Sequence, residues 1–205
     1  MSQYRLKRTV QPTSEPLTVA EVYEHCKIDS NSEESYVSAL ITAAREWLEE
    51  HNNTTMLTST WALTLDCFPL RERAANTLDR DRVELPRCPV QSITSIQYVD
   101  EDGTTQTLSA STYTLDNASD TTASVGPAYD EEWPDIRDQK NAVVITYVAG
   151  WTLASSVPAR YRHALKLLIG HWHANREGVL TGTISKEIEF AINALIGLTN
   201  LSPVG

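Results

Sequence analysis

Two histidines on either side of a tryptophan, His171 and His173, are the first side chains in this sequence that invite a metal-binding interpretation. The neighbouring residues have the apolar spacing of a helix, on which residues two apart point about 200° away from each other. Two imidazoles so placed cannot bind one ion, and zinc needs three or four ligands. The sequence therefore predicts polar histidines that flank Trp172, and no metal site.

The densest group of carboxylates in the chain lies in segment 130–138. They belong to Asp130, Glu131, Glu132, Asp135 and Asp138. Paired carboxylates catalyse hydrolysis when an apolar surrounding keeps one of them protonated. This segment is polar, so a solvated acidic loop is the favoured interpretation. A small acidic hydrolase remains an alternative, which alanine replacements in this segment would test.

Other catalytic motifs are absent from the sequence. The eight glycines form neither a dinucleotide-binding nor a P-loop pattern, and no G-x-S-x-G elbow presents a serine nucleophile. Cys26, Cys67 and Cys88 are odd in number and widely separated, which predicts reduced, mostly packed thiols. We expect no cofactor and no enzymatic activity.

The overall charge argues against a protein that binds DNA by neutralising phosphates. The chain has 205 residues and a net charge of −10, whereas nucleic-acid-binding domains usually carry a basic stripe. The charges are also uneven, because 15–50 is strongly acidic and 158–186 is mainly basic. Opposite patches of this kind suit a head-to-tail contact between identical subunits. No apolar run is long enough to span a membrane, and we expect the protein to be made and used in the cytosol.

The apolar residues predict two helices near the beginning of the chain. Thr18 and Glu21 form a capping-box pattern at the start of a first helix, which should end near Ile28. A second helix should follow Glu33 and Glu34. Its apolar stripe consists of Val37, Leu40, Ile41, Ala44, Trp47 and Leu48.

The middle of the chain has the period of β-strands. Trp61, Leu63 and Leu65 alternate with polar or small residues, and 142–148 is apolar on both faces, as in a central strand. Further strands are predicted at 83–85, 93–99, 105–108 and 113–115, with a tight turn at Asp102-Gly103. Segment 116–141 is predicted to be a mobile loop.

The helical period returns after Gly150. A third helix should start at Pro158, carry the stripe Tyr161, Leu165, Leu168 and Trp172, and end at Gly178, and a fourth is expected near 184–198. The predicted fold is α+β: a helical bundle of about four helices with a β-sheet insertion. It is one domain, with a helical body at 17–56 and 150–198, the insertion at 57–149, and a C-terminal tail at 199–205.

Several short sequences follow one another in a recognisable order. They are LTVAE at 17–21, the helix 36–50 with AAR at 43–45, VELPRCPV at 83–90, YVAGW at 147–151, VP at 157–158, ALKLL at 164–168 and HWHANRE at 171–177. Their order resembles that of the head–tail connector, or adaptor, proteins of tailed double-stranded DNA bacteriophages. The β insertion of this chain is larger than in the shorter members of that family.

The resemblance implies a virion protein of the head–tail neck, packed head to tail in a ring of about twelve subunits. It also implies a portal protein as one partner, a stopper or tail-completion protein as the other, and DNA that passes through the lumen without specific binding. Another neck protein, a stopper or terminator, remains the alternative. Such a protein should be richer in β structure and lack the paired helices.

Three sets of residues are assigned to these contacts. For the ring interface they are Arg160, Arg162, Lys166, Glu46 and Glu49. For the portal they are the apolar tail residues Leu198, Leu201, Pro203 and Val204. For the channel wall they are Asp100, Glu101 and Asp102 at the predicted hairpin tip, where like charge would repel passing DNA.

Overall fold

The computed structural model describes residues 4–29, 33–69, 81–176 and 186–196. Its elements are β1 (Arg5–Val10), α1 (Val19–Cys26), α2 (Glu34–Asn52), β2 (Ser59–Leu65), β3 (Val83–Glu84), β4 (Val90–Val99), β5 (Thr105–Thr107), β6 (Tyr113–Asp116), β7 (Ser124–Pro127), β8 (Val143–Ala149), a 3-10 turn (Ala154–Ser156), α3 (Ala159–Ala174) and α4 (Lys186–Ile196). The predicted α+β class is confirmed. The chain divides into a β unit, Met1–Pro12 with Thr58–Gly150, and a helical unit, Thr13–Leu57 with Trp151–Gly205.

The larger sheet of the β unit has the strand order β1-β2-β8-β4-β5, with every neighbouring pair antiparallel. β8 lies at its centre, as its apolar sequence predicted. Along β2 and β8 alternate residues are buried, because successive side chains of a strand point to opposite faces. Trp61 and Leu63 from β2 and Ile145 and Tyr147 from β8 therefore enter one core.

The smaller sheet corrects the prediction of a mobile loop at 116–141. β7 lies within that segment and pairs with both β3 and β6. Val125 is fully buried between these strands. Further along, the Trp133 ring stacks on Phe68 with 4.3 Å between centroids, and its indole N–H donates to the Asp81 carbonyl over 2.7 Å. A four-residue strand is too short to show its period among polar neighbours.

The edge strand β1 was not predicted from the sequence. It pairs with β2 from Arg5 to Val10. Its inner face carries Leu6 and Arg8, and the Arg8 guanidinium lies 4.5 Å from the centroid of the Trp61 ring. Because a cation occupies a position that normally holds an apolar residue, the alternation of hydrophobicity is hidden.

The helical unit begins with the predicted cap. The Thr18 hydroxyl accepts from the Glu21 amide over 3.3 Å, and the Glu21 carboxylate accepts from the Thr18 amide over 2.9 Å. α1 then ends at Cys26, with Lys27 in a left-handed conformation. The second helix is confirmed as α2, whose stripe residues Val37 and Leu48 are fully buried.

The C-terminal helices complete the same core. α3 starts after Pro158, as predicted, and contributes Tyr161, Leu165 and Leu168, all buried. It ends at Ala174, so the predicted end at Gly178 is wrong. α4 confirms the last helix and buries Ile192 and Ile196 in this core. No helix in the described ranges is long and apolar enough to cross a membrane.

Candidate assembly surfaces

The basic side chains proposed for the ring interface lie at the start of α3. Arg160 is exposed, and its guanidinium lies 5.2 Å from the centroid of the Tyr161 ring. Arg162 is half-buried and forms an ion pair with Glu21 of α1. Lys166, one turn further, also acts electrostatically on Glu21. Arg160 is therefore the most accessible of the three cations.

The Glu21 carboxylate forms its hydrogen bonds and its ion pair within the helical unit. Hydrogen bonding to the Thr18 backbone holds the pKa of Glu21 below its usual value; burial opposes this, and the Thr18 hydroxyl, Arg162 and Lys166 reinforce it. A carboxylate with these partners ties α1 to α3.

Glu49 does not belong to the ring-interface set, because its side chain is 1% exposed. Its Oε2 accepts from Nη1 of the buried Arg45 over 3.0 Å, and its Oε1 accepts from the Met56 amide over 2.7 Å. Arg45 also donates through Nε to Glu15 over 2.7 Å. Burial alone would lower the pKa of Arg45, but the hydrogen bonds and charges of Glu15 and Glu49 raise it above its ordinary value.

Glu46 is accessible, in contrast to Glu49 three residues further along α2. Its side chain is 54% exposed, and its carboxylate lies 3.7 Å from the outer side of the Arg45 guanidinium. Glu46 is therefore available to a cation of a neighbouring molecule.

The hairpin between β4 and β5 carries the acids assigned to the channel wall. Gly103 has a φ of 86°, and its amide donates to the Asp100 carbonyl over 2.9 Å, which confirms the predicted turn. The Asp100 carboxylate accepts from the Gln106 side chain over 2.8 Å and from the Thr104 amide over 2.7 Å. These bonds, that to Gln106 foremost, lower the pKa of Asp100. Asp100 thus stabilises the turn.

The outer acids of this hairpin, Glu101 and Asp102, are exposed. The guanidinium of Arg137 lies against Gly103, where it occupies the space that a Cβ atom would need. The hairpin tip therefore presents two accessible carboxylates beside one arginine.

The acidic segment 130–138 borders a surface cavity of about 570 Å³. The carboxylates of Glu131, Glu132 and Asp135 line it beside Trp133. All three side chains are exposed, so the apolar enclosure that would prepare a carboxylate for acid catalysis is not formed around them. The segment is therefore an exposed acidic surface, and its described residues do not enclose a catalytic carboxylate.

His173 of α3 contacts the residue that precedes α2. His173 Nε2 lies 2.8 Å from the Glu33 carboxylate, which also pairs with Arg176. The Arg176 guanidinium lies 4.8 Å from the centroid of the Tyr36 ring. Within the described residues, no three histidine, cysteine or acidic side chains are placed to hold a metal ion.

The three cysteines occupy different environments. Cys88 is buried, and burial raises the pKa of its thiol to about 11. Cys26 is partly exposed, whereas Cys67 is exposed and is the thiol that does not pack. Within the described residues all three are free thiols.

The most exposed large apolar side chains among the described residues are Tyr129, at 100%, and Leu153, at 62%. Neither of them was singled out from the sequence. The tail residues assigned to the portal lie outside the described residues: they are Leu198, Leu201, Pro203 and Val204.

Comparison with known proteins shows similarity at the level of the fold. No protein-family profile and no curated sequence matches the chain. A solved structure described as the neck of an empty GTA particle, computed with C6 symmetry, contains a chain with a TM-score of 0.75 and 20% identity. A chain in the virion of a native gene transfer agent (GTA) particle has a TM-score of 0.72 and 21% identity.

A third structure, the neck of a native GTA particle computed with C12 symmetry, contains a chain with a TM-score of 0.64 and 20% identity. In all three comparisons the alignment covers 98% of this chain and 97% of the other. The fold of this protein is therefore shared, over nearly its whole length, with chains of gene transfer agent particles.

Proposed function

We propose that this protein is a structural subunit of the adaptor ring in the neck of a phage-like particle, between the portal and the tail. The observation that carries the proposal is the fold similarity over 98% of the chain to a chain in a particle neck. The order of motifs in the sequence supports the same role independently. We assign the protein no catalytic function.

The ring contains about twelve copies. Symmetries of C6 and C12 were used for the two neck structures, and twelve subunits are compatible with both. A head-to-tail ring needs two different complementary surfaces on each subunit. The exposed Arg160 and the exposed Glu46 lie in opposite charge regions of the helical unit, and each is accessible to a neighbouring copy.

The remaining assignments belong to the same proposal. Arg162 and Lys166 stay in the ring-interface set through their outer faces, although both interact with Glu21. Glu101 and Asp102 are proposed to face the lumen, where DNA passes during ejection. The C-terminal tail is proposed to contact the portal, and the opposite side of the ring receives the stopper or tail-completion protein.

Electron microscopy of the purified protein mixed with the portal protein of the same particle tests this function. We expect closed rings on one end of the portal, and a monomer or loose oligomer when the portal is omitted. A variant with Leu201→Ser and Val204→Ser should lose the portal complex, whereas Val10→Ser, at an exposed position of the β unit, should keep it. Density for the protein at the tail side of a separate stopper, or away from the neck, would contradict the adaptor assignment.

A further inference from the structure

Tyr129 projects from a turn with a fixed backbone. The Glu131 amide donates to the Ala128 carbonyl over 3.1 Å, and the Ala128 amide donates to the Thr112 carbonyl over 3.0 Å. Asp130, at the turn, has a φ of 64°, a conformation that aspartate tolerates better than most residues. An aromatic side chain held on such a turn loses little conformational entropy when it binds a partner.

The residues beside Tyr129 specify the charge of that partner. Asp130 and Glu131 follow it directly, and both are exposed. An exposed tyrosine with two adjacent carboxylates matches an apolar surface that carries a cation. Tyrosine and arginine are also the residue types most enriched among the side chains that dominate binding energy.

The helical unit contains a surface of this complementary kind, which we call the α3 entry patch: Trp151, Leu153 and Arg160. Leu153 is 62% exposed, and Trp151 is partly exposed, with its ring 5.8 Å from that of the buried Tyr161. The Arg160 guanidinium lies on the same Tyr161 ring. Apolar surface and an accessible cation thus occur within one ten-residue stretch.

We infer that the Tyr129 turn of one copy docks on the α3 entry patch of the next copy. Both surfaces are present on every chain, and they differ from each other, so the contact is head to tail and can propagate around a ring. Tyr129 packs against Leu153 and Trp151, and Glu131 pairs with Arg160. The inference rests on the proposed function only for the closure of the ring, because the pairwise contact requires no portal.

Photo-crosslinking identifies the surface that Tyr129 contacts. A photoreactive benzoylphenylalanine is placed at position 129, and the full chain is irradiated at high concentration and in assembled particles, as a mixture of ¹⁴N- and ¹⁵N-labelled copies. We expect crosslinks between differently labelled copies at 151–160, found by mass spectrometry. Crosslinks to another part of the chain, to another protein, or none between copies would overturn the inference.

A charge exchange tests the ionic part of the contact. Glu131→Lys should reduce the crosslink yield about tenfold, and Arg160→Glu should do the same, because each places like charges opposite each other. The double variant should restore most of the yield, whereas Asp138→Lys, an exposed change outside the turn, should leave it unchanged. Two additive losses without restoration would refute the pairing.

The location of the protein in the particle separates this inference from the proposed function. A correct crosslink in a ring outside the neck would support the docking contact and overturn the adaptor role. A ring on the portal without the crosslink would support the adaptor role and overturn the contact. Urea denaturation of each variant checks that the variant is folded, so that a change in crosslink yield reports on the contact.

Discussion

The two units of this protein place their carboxylates differently. In the helical unit Glu49 is buried and shares Arg45 with Glu15, whereas those acids of the β unit that the structure describes are exposed or partly exposed. Glu49 and Glu46 are three residues apart on α2, yet one lies in the interior and the other is open to solvent. Net charge therefore does not reveal which acids can meet a partner: the acids of the helical unit serve stability as well as recognition.

The largest effect is expected when the interior ion network is broken. Glu49→Gln leaves the charge of Arg45 without its buried carboxylate partner, since Glu15 is partly exposed. Removing one member of a buried ion pair costs about 3–5 kcal/mol. Urea denaturation measures this as a fall in the free energy of unfolding.

Glu46→Gln is the matched control, on the same helix and of the same chemistry. An exposed ion pair contributes about 0.2–1 kcal/mol, so this variant should remain close to the parent protein. Equal destabilisation by the two substitutions would show that Glu49 is not the buried partner of Arg45.

The aromatic contacts of the β unit provide the next test. Trp133→Ala removes the stacking on Phe68 and the hydrogen bond to the Asp81 carbonyl, and leaves a void. We expect a loss of about 2–3 kcal/mol, since Trp133 is only partly buried. Tyr129→Ala, four residues earlier and fully exposed, should have no effect on the unfolding midpoint. If Trp133→Ala is equally silent, segment 130–138 does not pack on the sheet.

Elements whose apolar residues recur with a regular helix or strand period were predicted from the sequence. Elements in which a charged residue takes the place of an apolar one were missed. The stripe of α2 and the alternation in β2 are long and regular, so both were assigned correctly. β1 was missed because Arg8 replaces an apolar residue over Trp61. Glu49 was assigned to the surface together with Glu46, because both are acids outside the apolar stripe of α2. Its distance of four residues from Arg45, however, permits an ion pair.

Glu21, in the cap of α1, is intermediate between the buried Glu49 and the exposed Glu46, because it is partly exposed and has fixed hydrogen-bond partners. Thr18→Ala removes the hydroxyl that accepts from the Glu21 amide, and the loss of such a cap costs about 1 kcal/mol at neutral pH. Thr13→Ala, at an exposed position before the helix, should cost far less.

The pH dependence of this cap has a definite sign. The pKa of Glu21 is lowered in the folded state, chiefly by the Thr18 backbone, so its charged form stabilises the fold. That contribution is fully present above its ordinary pKa, about 4.3, and is lost as the pH falls through the lowered value. NMR titration should show a higher Glu21 pKa in Thr18→Ala; an unchanged pKa would exclude the hydroxyl as a contributor.

The smallest effect on stability is expected for substitutions at the hairpin tip, which should change the passage of DNA instead. Asp100 is kept, because its carboxylate holds the Thr104 amide and the Gln106 side chain. Glu101→Gln with Asp102→Asn removes two exposed charges and should leave the unfolding midpoint and ring formation unchanged. If these acids face the lumen, the loss of their repulsion lets DNA associate with the wall, and packaging or ejection becomes slower.

Glu84→Gln with Asp138→Asn, two exposed acids of the β unit, controls for the change in net charge. DNA release from particles, followed by fluorescence of a DNA-binding dye, should slow for the hairpin variant and not for this control. Normal release with normal assembly would place the hairpin away from the channel. Because Arg137 lies against the turn at Gly103, Arg137→Gln should make release faster if the hairpin faces the lumen, since the two acids then repel the DNA more strongly.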